Sequence, residues 1–193
     1  MTYATLTQLK AALRVPSGDT IDDSTLQLAL DAAGEAIIVH CGRTFGTAAA
    51  DTDRVYAAGK TDVVEIDDVY SLTSVYYSED GSTWNITTNY QAEPLNGITD
   101  GITFPTTRLR AINAFTWPVR SGLQTVKVTG RHAFGSIPTS VKQAEIMQAI
   151  RWFKRPDAPF GVTFGEMGGL RVSRVDPDIA AMLMPYTRPR LAL

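Results

Sequence analysis

Apolar positions recur at helical spacing in three stretches of the chain. The longest apolar face runs through Gly135 to Arg155, GSIPTSVKQAEIMQAIRWFKR. Ile146, Ala149, Ile150 and Phe153 fall at i, i+3, i+4 and i+7, and Val141, Ala144 and Met147 widen that stripe. Lys142, Glu145, Gln148 and Arg151 are expected elsewhere on the wheel. Pro138 suits a first turn, where its missing N–H has no helical partner. Ser140 and Gln143 have capping-box spacing. Pro156 stops the helix. So broad a face needs partners on more than one side, which makes this helix the expected hub.

Two more helices precede it. Thr5–Arg14 places Leu6, Leu9 and Leu13 on one side, with Thr5 and Gln8 spaced as a capping box. Val15–Thr20 is a loop by composition. A helix from about Thr25 to Cys41 follows, capped by Asp22, Asp23 or Ser24. Its face is Leu26, Leu30, Ala33 and Ile37, and Gly42 is its natural terminator. The small residues Ala32, Ala33 and Gly34 leave room for a close helical neighbour.

Between Phe45 and Arg131 the spacing changes to short β-prone runs separated by turns. Expected strands are Asp53–Tyr56, Asp62–Asp67 and Leu72–Ser78, with a hairpin turn at Glu79–Ser82 and resumption at Thr83–Thr87. Tyr90–Leu95 is extended, Ile102–Phe104 and Arg108–Ile112 are candidates to pair, and Gln124–Gly130 closes the set. After Pro156 the pattern weakens. Leu170–Val175 alternates like a strand added to a sheet edge, and Asp176-Pro-Asp opens a short helix with Ile179, Met182 and Leu183 on its apolar side.

The fold class is therefore α+β: a small helical bundle core of three main helices, an inserted antiparallel β unit and an extended C-terminal arm. The core covers 1–156, as 1–45 and 133–156, with the β unit at about 50–131. The arm is 157–193, and it holds too little apolar surface to form a core alone.

Charge adds one feature. The net charge is −2, so no global basic field announces a nucleic acid partner. Residues 1–45 hold three Lys/Arg against five Asp/Glu, 46–130 hold six against ten, and 131–193 hold nine against five. The basic excess lies in Arg131–Arg155, with Glu145 alone opposing it. It reads as a solvated helix face or as a positive surface for an acidic partner or DNA.

Candidate chemistry is thin. Gly59-Lys60-Thr61 has the ending of a phosphate loop, but position 54 is arginine and no helix follows. A lone Cys41 excludes an internal disulfide and is expected to be a buried, inert thiol. His40 is expected in the core and His132 at the surface or a strand end. Neither belongs to a set with zinc-ligand spacing. Asp67 and Asp68 are adjacent on a strand and face opposite sides, so they form no acid–base pair. Asn85-Ile-Thr87 matches a glycosylation sequon without a secretory context. Tyr76, Tyr77, Trp84, Tyr90, Phe104, Phe115 and Trp117 are expected in a packed β core. No stretch approaches a membrane span, and MTYATLTQLK has no signal core. These features point away from an enzyme, and no metal or cofactor is implied.

With these segments in place the chain resembles a family, the head-to-tail connector (adaptor) proteins of long-tailed bacteriophages. The resemblance is carried by TLTQLKAALRVPSGDTIDDSTLQLALDAAGEAIIVHCGRTF at the start and DVVEIDDVYSLTSVYYSEDGSTW in the middle. It continues through VKVTGRHAFGSIPTSVKQA, AIRWFKRPDAPFGV and RVSRVDPDIAAMLMPYTR. Phe134 and Gly34 depart from the pattern. The resemblance implies a structural virion protein, assembled in the host cytoplasm, that forms a ring beneath the portal and extends the DNA channel. The implied partners are the portal protein, a stopper or tail-completion protein, and neighbouring copies in a ring of on the order of twelve. Genomic DNA would pass without sequence-specific binding. In that reading the arm 161–193 binds the portal, with Arg171, Arg174, Asp176 and Tyr186 as candidate contacts. Arg151, Lys154 and Arg155 are candidate subunit-interface residues, and the sheet unit faces outward or toward the next tail component. The alternatives are a stopper or tail-completion protein of the same junction, or a small nucleic-acid-binding protein.

Overall fold

In the computed structural model, Thr5 opens helix α1 (Leu6–Leu13) with the expected capping box. The Gln8 N–H donates to Thr5 Oγ1 at 3.2 Å and the Thr5 N–H to Gln8 Oε1 at 2.9 Å. The structure describes residues 2–154 and 176–188, and the backbone alone of 162–165 and 168–171. The chain divides into two compact units, Met1–Arg43 with Ile137–Leu193, and Thr44–Ser136.

In the first unit, helix α2 (Asp23–Cys41) buries Leu26, Leu30, Ala33, Gly34, Ile37 and Cys41, one stripe at helical spacing. Asp22 stands at its start without a side-chain capping bond. Gly42, at φ 63°, ends it in the left-handed conformation that glycine tolerates best. The hub is helix α3 (Thr139–Phe153), which packs on both α1 and α2. Leu9, Leu26, Leu30, Ala33 and Ala149 form the shared core, with Ile146, Ile150 and Phe153 against its edge.

Two expectations for α3 need correction. Pro138 is the cap residue itself, one place before the helix, so Ser140 lies inside the first turn and no side-chain cap forms. Glu145 is not on the outer face; it is 0% exposed. Its spacing from Val141 and Ala149, both also fully buried, is four residues each way.

Helix α4 (Pro177–Leu183) packs on α3 with Ile179 and Leu183 buried, and a short 3₁₀ turn follows at Met184–Tyr186. Strands β9 (Val162–Gly165) and β10 (Gly168–Arg171) pair with each other. The expected edge strand from Leu170 is thus one side of a hairpin, and residues 172–175 lie outside the described residues.

The larger sheet of the second unit is antiparallel with strand order β1-β8-β2-β7-β4, and β3 pairs with β2. The strands are β1 (Thr52–Tyr56), β2 (Val63–Tyr77), β3 (Asn85–Thr87), β4 (Tyr90–Glu93), β7 (Thr106–Ala111) and β8 (Val126–His132). The two runs expected as separate strands, Asp62–Asp67 and Leu72–Ser78, are halves of the single strand β2. Irregularities between Glu65 and Val69, Val69 and Ser71, and Leu72 and Ser74 reset the alternation. That is why an unbroken strand does not read as one. The first half of β2 pairs with β7, and the second with β8 and β3. Gly130 of β8 sits against the irregular region. A Cβ there would lie 2.5 Å from the Ser71 carbonyl oxygen.

One face of the sheet holds Val64, Ile66, Val69, Val75, Leu109, Val126 and Val128 around Trp117. Trp117 is 0% exposed and its Nε1–H donates to the Leu109 carbonyl at 3.2 Å. Phe115 meets both Trp117 and Tyr77 edge-on. The expected pairing of Ile102–Phe104 with Arg108–Ile112 does not form. Instead β6 (Ile102–Thr103) folds back on β5 (Ile98–Thr99). Phe104 meets Phe134 edge-on, and Phe134 also meets Phe45.

Candidate functional site

The sequence places its assembly candidates at the end of α3 and in the arm. In the structure, Arg151 and Asp176 come together, Nη1 to Oδ2 at 3.8 Å. Asp176 also caps α4, its Oδ1 accepting from the Asp178 N–H at 3.0 Å. Tyr186 is buried on the helical unit, and the Ser140 hydroxyl donates to its oxygen at 3.4 Å. The Arg188 N–H donates to the Cys41 carbonyl at 2.9 Å. Residues 176–188 therefore form a joint with α2 and α3, held by apolar anchors and polar contacts. Lys154 is exposed at the end of α3. Arg171 ends β10, where only the backbone is described, and Arg155 and Arg174 lie outside the described residues.

Two buried charged groups fix the start of the chain, and sequence reading missed both. The Glu145 carboxylate accepts from the backbone N–H groups of Tyr3, at 2.9 and 3.0 Å, and of Ala4. Burial pushes this carboxyl above the usual carboxylate range, and the two N–H donors pull the other way. Lys10 is 5% exposed; its ammonium meets Asp23 Oδ1 at 2.6 Å and donates to the Ser17 and Asp19 carbonyls. The loop after α1 is thereby closed onto the first turn of α2. The four-residue spacing of Val141, Glu145 and Ala149 was the available signal for Glu145. Lys10 carries no such signal, because its partners lie seven to thirteen residues away.

Among the described residues, the cysteine, the histidines and the paired aspartates of the sequence do not come together. Cys41 is fully buried, as expected, and desolvation pushes its thiol up to about 11. Of the two histidines, His40 is exposed near the end of α2 rather than in the core, and His132 stands at a strand end, the last residue of β8, where it is buried. Burial lowers the His132 pKa, and a ring nitrogen contacts the Thr52 carbonyl at 3.2 Å. Asp67 and Asp68 sit mid-strand on β2, with Asp67 paired to Arg54 at 2.7 Å. Gly59-Lys60-Thr61 leads into β2, not a helix. Among the described residues no group of three or more His, Cys, Asp or Glu could hold a metal ion. No helix among them is long and apolar enough to cross a membrane. A cavity of about 180 Å³ opens between α2, α3 and α4, lined by Ile37, His40, Gln148, Trp152, Ile179 and Leu183. Its walls are mostly apolar, with no acid–base pair.

No family model and no curated protein matches the chain. Solved structures do. A chain in the "Neck of empty GTA particle computed with C6 symmetry" is similar with a TM-score of 0.59 at 14% identity, over 98% of this chain and 91% of that one. The chain has the fold of a gene transfer agent neck protein. A chain of the "Neck of native GTA particle computed with C12 symmetry" gives a TM-score of 0.55 at 16% identity, over 100% and 95%. One from the "Virion of native gene transfer agent (GTA) particle" gives 0.56 at 15%, over 98% and 91%. The likeness spans the residues of both units.

Proposed function

We propose that this chain is a structural component of a virion's head-to-tail junction, a connector that forms a ring beneath the portal and extends the DNA channel. The observation that carries this reading is the full-length likeness to neck chains whose assemblies were computed with C6 and C12 symmetry. Cyclic symmetry requires each subunit to offer two different patches to its neighbours. The order of motifs along the sequence supports the same assignment. So does a modest net charge of −2, because a strongly basic lining would hold DNA that has to slide.

In this reading the C-terminal region meets the portal, with Arg171 and Arg174 as the contacts to test. Asp176 and Tyr186 position the segment by anchoring α4 and the turn after it. Lys154 is the cleaner test of a subunit interface than Arg151, because reversing Arg151 would also break its contact with Asp176.

The test is co-sedimentation of the chain with the portal of its own particle. A connector binds the portal without any other tail protein. A stopper or tail-completion protein binds only once the connector layer is present, and a nucleic-acid binder ignores the portal and binds DNA with steep salt dependence. Arg171→Glu with Arg174→Glu should abolish portal binding while leaving the α3–α4 packing intact. Retained binding by that variant would move the contact elsewhere.

A further inference from the structure

The sheet has two faces, and the one away from Trp117 carries an organised apolar and aromatic row. Strand register places Ile86, Tyr76, Lys127 and Val55 side by side across β3, β2, β8 and β1. Paired residues in adjacent strands share a face. Ile86 is 65% exposed and Val55 49%. Lys127 sits over the Tyr76 ring at 4.4 Å and near the Trp84 ring at 5.2 Å. Its ammonium therefore stands at a fixed place on an apolar surface, and it makes no ion pair among the described residues.

A complementary feature lies on the helical unit. Ile21 is 88% exposed, the most exposed of the large hydrophobic residues among those described, and Asp19 and Asp22 flank it. The segment is held in shape: the Ile21 N–H donates to Asp19 Oδ1 at 3.2 Å, and buried Lys10 binds the Asp19 carbonyl from below. Asp22 makes no capping bond and is exposed. An apolar tip between two carboxylates, already ordered before contact, loses little entropy on docking.

We infer that the Ile21 tip of one copy docks on the Val55–Lys127–Tyr76–Ile86 face of the next copy, with Asp22 meeting Lys127. This rests on the ring reading and names its two patches. The contact is heterologous, as a ring requires, because the tip and the face belong to different parts of the chain. The acidic tip and the cation fixed among aromatic rings set its polarity and exclude tip-to-tip pairing by charge.

The experiment uses portal-bound rings of the full chain, treated with a short bismaleimide. A chain with both Ile21→Cys and Ile86→Cys should yield a ladder of covalent multimers, and each single variant should yield none. Cys41 is buried and does not interfere. In parallel, Lys127→Glu should raise the concentration needed for assembly by roughly tenfold, and adding Asp22→Lys should restore it. Rings that form normally but give no ladder, or that ignore Lys127→Glu, overturn this contact and leave the ring reading standing. A wild-type chain that forms no ring on the portal overturns both.

Discussion

In the helical unit, Glu145 and Lys10 are buried charged groups that bind backbone atoms of neighbouring segments. In the sheet unit, the largest fully buried side chains are Trp117, Phe45, Leu109 and five valines, and the ion pairs Arg54–Asp67 and Arg120–Glu79 are about half exposed. The difference follows from what each unit has to hold. A sheet ladder satisfies its own backbone groups, so apolar packing suffices to select the face. Residues 2–5 and 14–22 belong to no ladder or helix, and their orphan groups need specific acceptors and donors. Apolar burial is non-directional, whereas a buried charge that meets several backbone groups admits one geometry.

The largest expected effect breaks the apolar side. Trp117→Ala should cost about 3–5 kcal/mol and remove the near-ultraviolet circular dichroism of the sheet unit. A loss below about 1 kcal/mol would mean that the tryptophan does not centre that core.

Next comes the charged side. Glu145→Ala strands the Tyr3 and Ala4 N–H groups at about 1–3 kcal/mol each, whereas Glu145→Gln keeps an acceptor and stays within about 1 kcal/mol. Urea denaturation of the two variants separates hydrogen bonding from charge. The same pair has a pH signature. The folded carboxyl holds its proton above the usual carboxylate range, while the unfolded carboxyl has already released it. Stability from this group therefore falls as pH rises from the ordinary value through the raised one, and levels off beyond it. Glu145→Gln should lose that slope. An unchanged slope would assign it to another group.

Local features of both units were legible in the sequence, whereas the buried charges of the helical unit were not. The α1 capping box, the α2 stripe and the Gly42 stop are local features, and each appears where its spacing puts it. The Glu79–Ser82 turn also lies between β2 and β3. Strand β2 was read as two because its irregularities hide the period-two pattern, and those depend on how β8 and β7 align with it. Glu145 was misplaced because charge argued for solvent while spacing argued for the core. His40 departs from expectation for a related reason. His40 lies on a helix whose buried stripe passes through Ile37 and Cys41 on either side of it, and His132 is covered only by tertiary packing. The candidate contacts Asp176 and Tyr186 are placed by the docking of α4 on α3, which no local pattern announces.

Smaller effects sharpen the comparison. Gly130→Ala brings a methyl group 2.5 Å from the Ser71 carbonyl, so β8 and β2 must separate at about 1–3 kcal/mol, measurable as faster amide exchange in β1 and β8. Arg54→Ala, at a half-exposed ion pair, should cost less than about 1 kcal/mol and even less in high salt. A larger loss would show that the sheet unit too relies on charge.

The most direct measurement is cryo-electron microscopy of this chain mixed with its portal. The account predicts a closed ring, stacked coaxially on the portal, with the six- or twelve-fold symmetry under which the structurally similar necks were computed. Portals carrying isolated copies, or bare portals beside free monomers, would contradict it.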